Sequence, residues 1–174
     1  MKISILIPCH NEEKSIRACV LSCLTQTRLP DQVVVVNDGS TDKSLEILQE
    51  FEEFITIITL PKATGNKSHA QEIGIQYITG DVFIATDGDT VLDSNFVKFV
   101  EEDFTQNTEL SAVGGYVRSV RHNWLTACRA FEYAVGQNLH KLAQHHLGFL
   151  FVIPGAAGVF KTADFKGYIT FEHD

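Results

Sequence analysis

The sequence is poor in positive charge. It has 14 lysines and arginines against 22 aspartates and glutamates, which gives a formal net charge of -8. Proteins that bind nucleic acid usually carry a basic patch that meets the phosphate backbone. We therefore expect no nucleic-acid partner for this chain.

Long hydrophobic runs are also lacking. The longest apolar stretch, residues 147–160, is interrupted by Pro154 and three glycines, so it is too broken to span a bilayer. The first apolar run follows one lysine and stops at Pro8, which is typical of a strand rather than of a signal peptide. We expect a soluble, cytoplasmic domain. A longer protein that contains it would reach the membrane through a C-terminal region, with this domain on the cytoplasmic face.

Paired cysteines are absent as well. The four cysteines show neither a C-x-x-C pair nor the histidine spacing of a zinc site. Cys19 and Cys23 lie one helical turn apart on an apolar stripe. We therefore expect them to be buried thiols of a reducing compartment.

The sequence does contain a regular alternation of strand and helix patterns. Continuous apolar, β-branched runs predict buried strands, and apolar residues at i, i+3, i+4 and i+7 predict the helices between them. This order implies an α/β fold with a doubly wound, mostly parallel sheet and flanking helices. The predicted strands are residues 3–7, 33–36, 55–60, 82–86 and 110–117, and the predicted helices are residues 12–25, 41–51, 66–78 and 93–104.

A longer helix is predicted over residues 123–146, with Trp124, Cys128 and Phe131 on its inward face. The small-residue cluster Gly155-Ala156-Ala157-Gly158 follows it. No repeat, low-complexity tract or linker divides the chain. We expect residues 1–174 to form one domain, with residues 1–117 and 118–174 as its two halves.

The triplet Asp87-Gly88-Asp89 directly follows the apolar run 82–86. Two carboxylates at the end of a strand suit a hard divalent cation, although Asp and Gly are also ordinary residues of a surface turn. Ligands of open α/β sheets bind at the carboxyl ends of the strands. The polar loops 8–13 and 37–41 follow two other predicted strands, so we expect all three at one edge.

The individual residues of these loops also allow plainer interpretations. Glu12 suits the first turn of a helix, where the dipole favours a carboxylate, and Asp38 suits a turn as well as a ribose or ring contact. Lys67 enters a helix N-terminus whose backbone amides suit phosphate, but a single lysine is most often solvated.

Together these segments resemble the GT-A glycosyltransferases of family 2. The resemblance lies in Ile5-Leu6-Ile7-Pro8 with Asn11-Glu12, in residues 36–42, in residues 65–70 with Lys67, and in Asp87-Gly88-Asp89. It implies a GT-A, Rossmann-like fold and a nucleotide-sugar donor, with UDP-hexose expected. It also implies that Pro8, Asn11, Glu12, Asp38, Lys67, Asp87 and Asp89 bind the nucleotide, and that Asp89 and Asp87 hold Mg2+ or Mn2+.

The second half resembles the acceptor side of processive polysaccharide synthases, which make poly-N-acetylglucosamine, hyaluronan, chitin or cellulose. Phe131-Glu132-Tyr133, Gly136-Gln137 and residues 154–161 carry this likeness. The family's catalytic base would be Asp174, or else Glu172, taking the proton of an acceptor hydroxyl on a glycan or a lipid-linked sugar. The sequence departs from the family's motifs at two places. It has Asn37-Asp38 where the family has paired aspartates, and Glu172-His173-Asp174 where the family has its usual acidic motif.

The resemblance predicts an inverting hexosyltransferase of polysaccharide or cell-envelope biosynthesis. A non-processive family 2 transferase is one alternative, and a catalytically inactive module that binds sugar nucleotides is another. A nucleotidyltransferase would normally show a glycine-rich first loop with Arg or Lys, which residues 8–12 do not provide.

Overall fold

The computed structural model describes residues 1–119, 124–137, 153 and 155–166. Strands and helices alternate along the chain in the predicted order. The elements are β1 Ile3–Cys9, α1 Ile16–Leu24, β2 Gln32–Asp38, α2 Ser44–Gln49, β3 Thr56–Leu60, α3 Lys67–Ile75, β4 Val82–Ala85, α4 Phe96–Gln106, β5 Ala112–Gly114, α5 Trp124–Val135, β6 Gly158–Lys161 and α6 Thr162–Lys166.

The strands form one mixed sheet in the order β3-β2-β1-β4-β6-β5. The first four strands along the chain are parallel, with Leu6 of β1 paired to Val34 of β2 and to Ala85 of β4. Strand β6 runs antiparallel to both β4 and β5. The prediction of a mostly parallel α/β sheet is confirmed.

Both faces of the sheet are covered by helices. Along β1, Ile3, Ile5 and Ile7 belong to one core with residues of α1, α2 and α4, whereas Leu6 belongs to the opposite core with residues of α3 and β2. This alternation follows from the two-residue period of a strand. It explains why the strands read as continuous apolar runs, since both of their faces are buried.

Several predicted element bounds need correction. Helix α1 begins at Ile16 rather than at residue 12, and α2 begins at Ser44 rather than at residue 41. Strand β5 covers only Ala112–Gly114 of the predicted residues 110–117. Short polar loops therefore occupy more of the carboxyl edge than the hydrophobic pattern indicates.

The inward face predicted for α5 is wrong for three of its residues. Trp124 is 77% exposed, Phe131 is 71% exposed, and Cys128 is exposed. The predicted continuation of this helix through residues 138–146 lies outside the described residues. In the described ranges, no helix is both long enough and apolar enough to cross a membrane.

Candidate functional site

Three polar loops meet at the carboxyl edge of the sheet, because β1 lies between β2 and β4. They follow β1, β2 and β4 and contain Asn11 and Glu12, Gly39 and Ser40, and Asp87 to Asp89. Asp38 is the last residue of β2, directly before the second loop. A fourth loop, residues 61–66, joins β3 to α3 beside them. The edge is therefore built by four consecutive β-to-α connections.

Asn11 ties the loop after β1 to the loop after β2. Its Oδ1 accepts a hydrogen bond from the Thr41 amide at 2.8 Å, and its own amide donates to Ser40 Oγ at 3.0 Å. Asn11 has φ 56°, a left-handed conformation that asparagine adopts more readily than most residues. Ser40 and Thr41 thus hold Asn11, and the residue directly before α2 is Lys43.

A second set of hydrogen bonds joins the same loops. The Glu12 amide donates to Ser44 Oγ at 2.7 Å, and the Glu13 amide donates to Asp42 Oδ2 at 3.0 Å. Burial acts to raise the pKa of Asp42, but hydrogen bonds from Ser44 and Glu13 outweigh it and hold this pKa below its ordinary value. Asp42 is therefore a structural carboxylate that stays ionised.

Asp38 is buried, with 5% of its surface exposed. Its carboxylate accepts hydrogen bonds from the Thr64 amide and from Thr64 Oγ1, both at 2.8 Å. The next residue, Gly39, has φ 57°, and a Cβ there would lie 2.2 Å from the Ala63 amide nitrogen. Asp38 and Gly39 therefore fix the loop that leads into α3, and Thr64 is a site residue that sequence reasoning missed.

Lys67 and Asp87 form an ion pair across the edge. Lys67 is the first residue of α3, and Asp87 follows β4. Asp89 is exposed, and its Oδ1 lies 3.4 Å from the hydroxyl of Thr90, which donates to it. The structure thus brings together the lysine and the two carboxylates that the sequence singled out.

Gly88 allows the loop after β1 to approach the acidic triplet. A Cβ at Gly88 would lie 3.2 Å from Glu12 Cγ and 3.4 Å from the Pro8 carbonyl oxygen. The Glu12 carboxylate itself accepts a hydrogen bond from Ser15 Oγ at 2.5 Å. Pro8 and Glu12 therefore lie directly against the triplet.

The small-residue cluster borders the same site. Thr86 Oγ1 donates to the Ala156 carbonyl at 3.1 Å, and a Cβ at Gly155 would lie 3.5 Å from Lys67 Nζ. The Gly115 amide donates to the Ala157 carbonyl at 2.8 Å. The cluster therefore leads into β6 beside the acidic triplet. The predicted catalytic residues Glu172 and Asp174 lie outside the described residues.

The chemistry of the carboxylates fits a divalent cation that arrives with a phosphate ligand. Within the described ranges, no group of three or more His, Cys, Asp or Glu side chains is placed to hold a metal ion. Mg2+ is commonly bound by only one or two carboxylates, with substrate phosphates and water completing its shell. Asp89 and Asp87 supply that donor set, and the ammonium of Lys67 stands beside Asp87.

The mixed sheet and its flanking helices define a fold of the GT-A type. The mannosyltransferase PcManGT from Pyrobaculum calidifontis, solved with GDP-Man and Mn2+, superposes with a TM-score of 0.72 at 18% identity, covering 92% of this chain and 44% of that one. S. aureus TarS 1-349 with UDP-GlcNAc gives a TM-score of 0.61 at 23% identity, covering 70% of this chain and 37% of that one. These likenesses establish the fold.

The family follows from the sequence comparison. The pattern of Glycosyl transferase family 2 matches residues 4–165, and the chain belongs to that family. The chain is 28% identical over 170 residues to the poly-beta-1,6-N-acetyl-D-glucosamine synthase of Staphylococcus epidermidis. The match covers 94% of this chain and 40% of the synthase, so the chain spans about 40% of the length of that curated relative. The predicted resemblance is confirmed.

Proposed function

We propose that this chain is the donor-binding and catalytic domain of an inverting hexosyltransferase that uses a UDP-sugar. The observation that carries the proposal is the meeting of Asp87, Asp89 and Lys67 at the carboxyl edge, beside the buried Asp38. Acidic residues and one ammonium at this place suit a diphosphate that arrives with a metal ion. UDP-GlcNAc in the TarS structure and the name of the S. epidermidis relative support a UDP-linked donor.

Each residue has a separate task in this proposal. Asp89 would bind Mg2+ or Mn2+, and Asp87 would share that task or hold the ribose. Asp38, Asn11, Pro8 and Glu12 would position the nucleoside, and Lys67 would meet the diphosphate. When bound, the divalent cation would neutralise the diphosphate as it leaves; Mn2+ in the PcManGT structure supports a metal of this kind.

The acceptor side of the proposal rests on the second half of the chain. Asp174, or Glu172, would take the proton of the acceptor hydroxyl as general base while the oxygen attacks the anomeric carbon. The small-residue segment at Gly155 and Ala156 would receive a glycan or a lipid-linked sugar, because small side chains let the backbone approach a ring. We place the domain on the cytoplasmic face of a membrane to which the longer protein is anchored.

The donor proposal is tested by metal-dependent binding of UDP. In calorimetric titrations, UDP should bind much more tightly in the presence of Mn2+ than in the presence of EDTA. Asp89→Ala should remove most of that difference, since loss of a metal ligand lowers affinity by about tenfold or more. Asp103→Ala is the matched control, because Asp103 is an exposed carboxylate of α4. Equal UDP affinity with Mn2+ and EDTA would exclude the metal role.

Turnover separates the enzyme from an inactive binding module. The full-length protein should consume UDP-GlcNAc or another UDP-hexose in the presence of Mn2+, and Asp174→Asn should slow this while UDP affinity stays near normal. Tight UDP binding without turnover of any UDP-sugar would favour the binding module. Transfer of a single sugar to each acceptor molecule, without further chain extension, would favour the non-processive transferase.

A further inference from the structure

Lys67 occupies an unfavourable place for a cation. It is the first residue of α3, where the positive end of the helix dipole disfavours a lysine. The helix gains its N-terminal stabilisation elsewhere, because Asn66 Oδ1 accepts a hydrogen bond from the Ser68 amide at 2.8 Å. Helix stability therefore does not explain Lys67, and its contact with Asp87 needs another account.

That contact engages an oxygen that a metal ion would use. Lys67 Nζ is paired with Asp87 Oδ1, and Asp87 is one of the two carboxylates suited to Mg2+ or Mn2+. Asp87 and Asp89 carry like charges with only Gly88 between them, so a nearby ammonium lowers their mutual repulsion. In the absence of a metal ion, Lys67 thus neutralises part of the charge that would attract one.

The ion pair between Lys67 and Asp87 is also weak enough to open when another cation binds Asp87. The side chains of Lys67 and Asp87 are 47% and 29% exposed, and ion pairs open to water contribute little to stability. Gly155 also borders the ammonium, since a Cβ at that position would lie 3.5 Å from Nζ. No bulky side chain at that position blocks movement of the lysine away from Asp87.

We propose that Lys67 is an exchangeable counter-ion that couples metal binding to nucleotide binding. Its ammonium pairs with Asp87 when no divalent cation is bound, leaves Asp87 when one binds, and then pairs with the diphosphate. This inference rests on the proposed function, because it assumes a metal ion and a nucleotide diphosphate. Each ligand then favours the other, and the coupling is reciprocal.

The inference predicts effects of opposite sign on the two ligands. Loss of the ammonium removes a competitor for Asp87, so Mn2+ alone should bind more tightly. The same loss removes a partner of the diphosphate, so UDP should bind less tightly in saturating Mn2+. A variant that merely disturbed the site would weaken both, which makes the two signs together diagnostic.

The experiment measures free Mn2+ by electron paramagnetic resonance during titration of the whole chain without nucleotide. Lys67→Met should bind Mn2+ about two- to fivefold more tightly than the wild type. In calorimetry with saturating Mn2+, the same variant should bind UDP about tenfold more weakly. Lys67→Arg, which keeps the positive charge, should retain most of the competition for Asp87.

Two controls identify the pair as the cause. Lys98→Met makes the same charge change in an ion pair of α4, where Lys98 Nζ lies 3.8 Å from Glu102, and it should alter neither affinity. In the Asp87→Asn background, Lys67→Met should no longer strengthen Mn2+ binding, which is the signature of a direct interaction in a double-mutant cycle.

The outcomes separate this inference from the proposed function. If the wild type binds UDP in a Mn2+-dependent way and Lys67→Met leaves Mn2+ affinity unchanged or weaker, the counter-ion role is wrong and the proposed function stands. If neither the wild type nor any variant binds Mn2+, and UDP binding ignores the metal, both fail. If Lys98→Met raised Mn2+ affinity as much as Lys67→Met, the effect would come only from the change in net charge, and the inference would be overturned.

Discussion

At the scale of single residues, Thr64 holds the buried carboxylate that is proposed to meet the nucleoside. Its amide and its hydroxyl both donate to Asp38 at 2.8 Å. Thr64→Val keeps the shape and the amide but leaves Asp38 Oδ2 without that hydroxyl. We expect the free energy of unfolding to fall by about 1 kcal/mol, since one hydrogen bond is lost. We also expect UDP affinity to fall, because the Asp38 side chain becomes more mobile.

Urea unfolding and calorimetric titration of UDP measure these two quantities. Thr59→Val is the matched control, since Thr59 is exposed on the edge strand β3 and should change stability by less than about 0.5 kcal/mol. Unchanged stability and unchanged UDP affinity in Thr64→Val would show that the hydroxyl does not support Asp38.

The sequence allowed part of this site to be predicted. Asp38, Asp87 and Asp89 follow apolar runs, and the carboxyl ends of parallel strands meet at one edge, so their proximity could be inferred. Thr64 could not, because its contact with Asp38 spans 26 residues and depends on how the loop after β3 crosses the edge. No local pattern marks a threonine whose partner is set by tertiary structure.

At the scale of elements, Gly39 and Gly65 offer a comparison between a crowded loop and an open one. Both have positive φ, 57° and 73°, but a Cβ at Gly39 would lie 2.2 Å from the Ala63 amide nitrogen, whereas no atom of the described residues lies within 4 Å of a Cβ at Gly65. Gly65→Ala should lower the free energy of unfolding by about 1 kcal/mol, from backbone strain alone. Gly39→Ala should lower it by about 3 kcal/mol or more, because steric overlap adds to that strain.

Chemical denaturation of the two variants provides the measurement. UDP affinity should fall further in Gly39→Ala, since the overlap pushes the loop that contains Thr64 away from Asp38. Equal destabilisation by the two substitutions would mean that the packing of this loop on Gly39 contributes nothing.

The starts of the helices show where element-level prediction reaches its limit. Hydrophobic periodicity correctly placed α1 and α2, but it extended both into residues 12–15 and 41–43. Those residues make hydrogen bonds between loops instead, such as Glu13 to Asp42 and Thr41 to Asn11. Their polar groups suit a helical turn as well as a loop. Whether they form a helix therefore depends on the hydrogen bonds that the neighbouring loop offers.

At the scale of the whole molecule, the cysteines divide into buried and exposed thiols. Cys9, Cys19 and Cys23 are buried and free, whereas Cys128 is exposed. Burial raises the pKa of Cys9 to about 11, whereas the pKa of Cys19 is raised first by its hydrogen bond with the Cys23 thiol and then by burial. Since the thiolate is the reactive form, a thiol reagent at pH 8 should modify Cys128 quickly in the folded protein and the other three only after unfolding.

Mass spectrometry of the alkylated protein identifies which thiols react. Because the pKa of Cys9 is raised on folding, its contribution to stability is present below its unfolded value of 9.0 and is lost as pH rises toward about 11. Labelling of Cys9 should therefore accelerate in that range. Fast labelling of Cys9 or Cys19 at pH 8 would contradict the buried core.

The sheet as a whole was predictable in its parallel part and less so beyond β4. Strands β1 to β4 are continuous apolar runs joined by short helices, which fixes their direction. Strand β6 has four residues, Gly158–Lys161, and nothing in so short a segment indicates that it runs antiparallel beside β4. The exposure of Trp124 and Phe131 was likewise missed, because periodicity shows that a helix has an apolar face but not what covers it.

The position of β6 has a consequence for biosynthesis. Strand β4 lies between β1, which precedes it in the chain, and β6, which the ribosome delivers about 70 residues later. At a synthesis rate of about 5–20 residues per second, one edge of β4 stays unpaired for roughly 4–14 seconds until β6 has been made. During that interval the nascent chain presents unpaired backbone groups next to the acidic triplet, and such an edge is a template for wrong pairing. Shielding of this edge, by the ribosome surface or by a chaperone, would therefore reduce wrong pairing until β6 arrives.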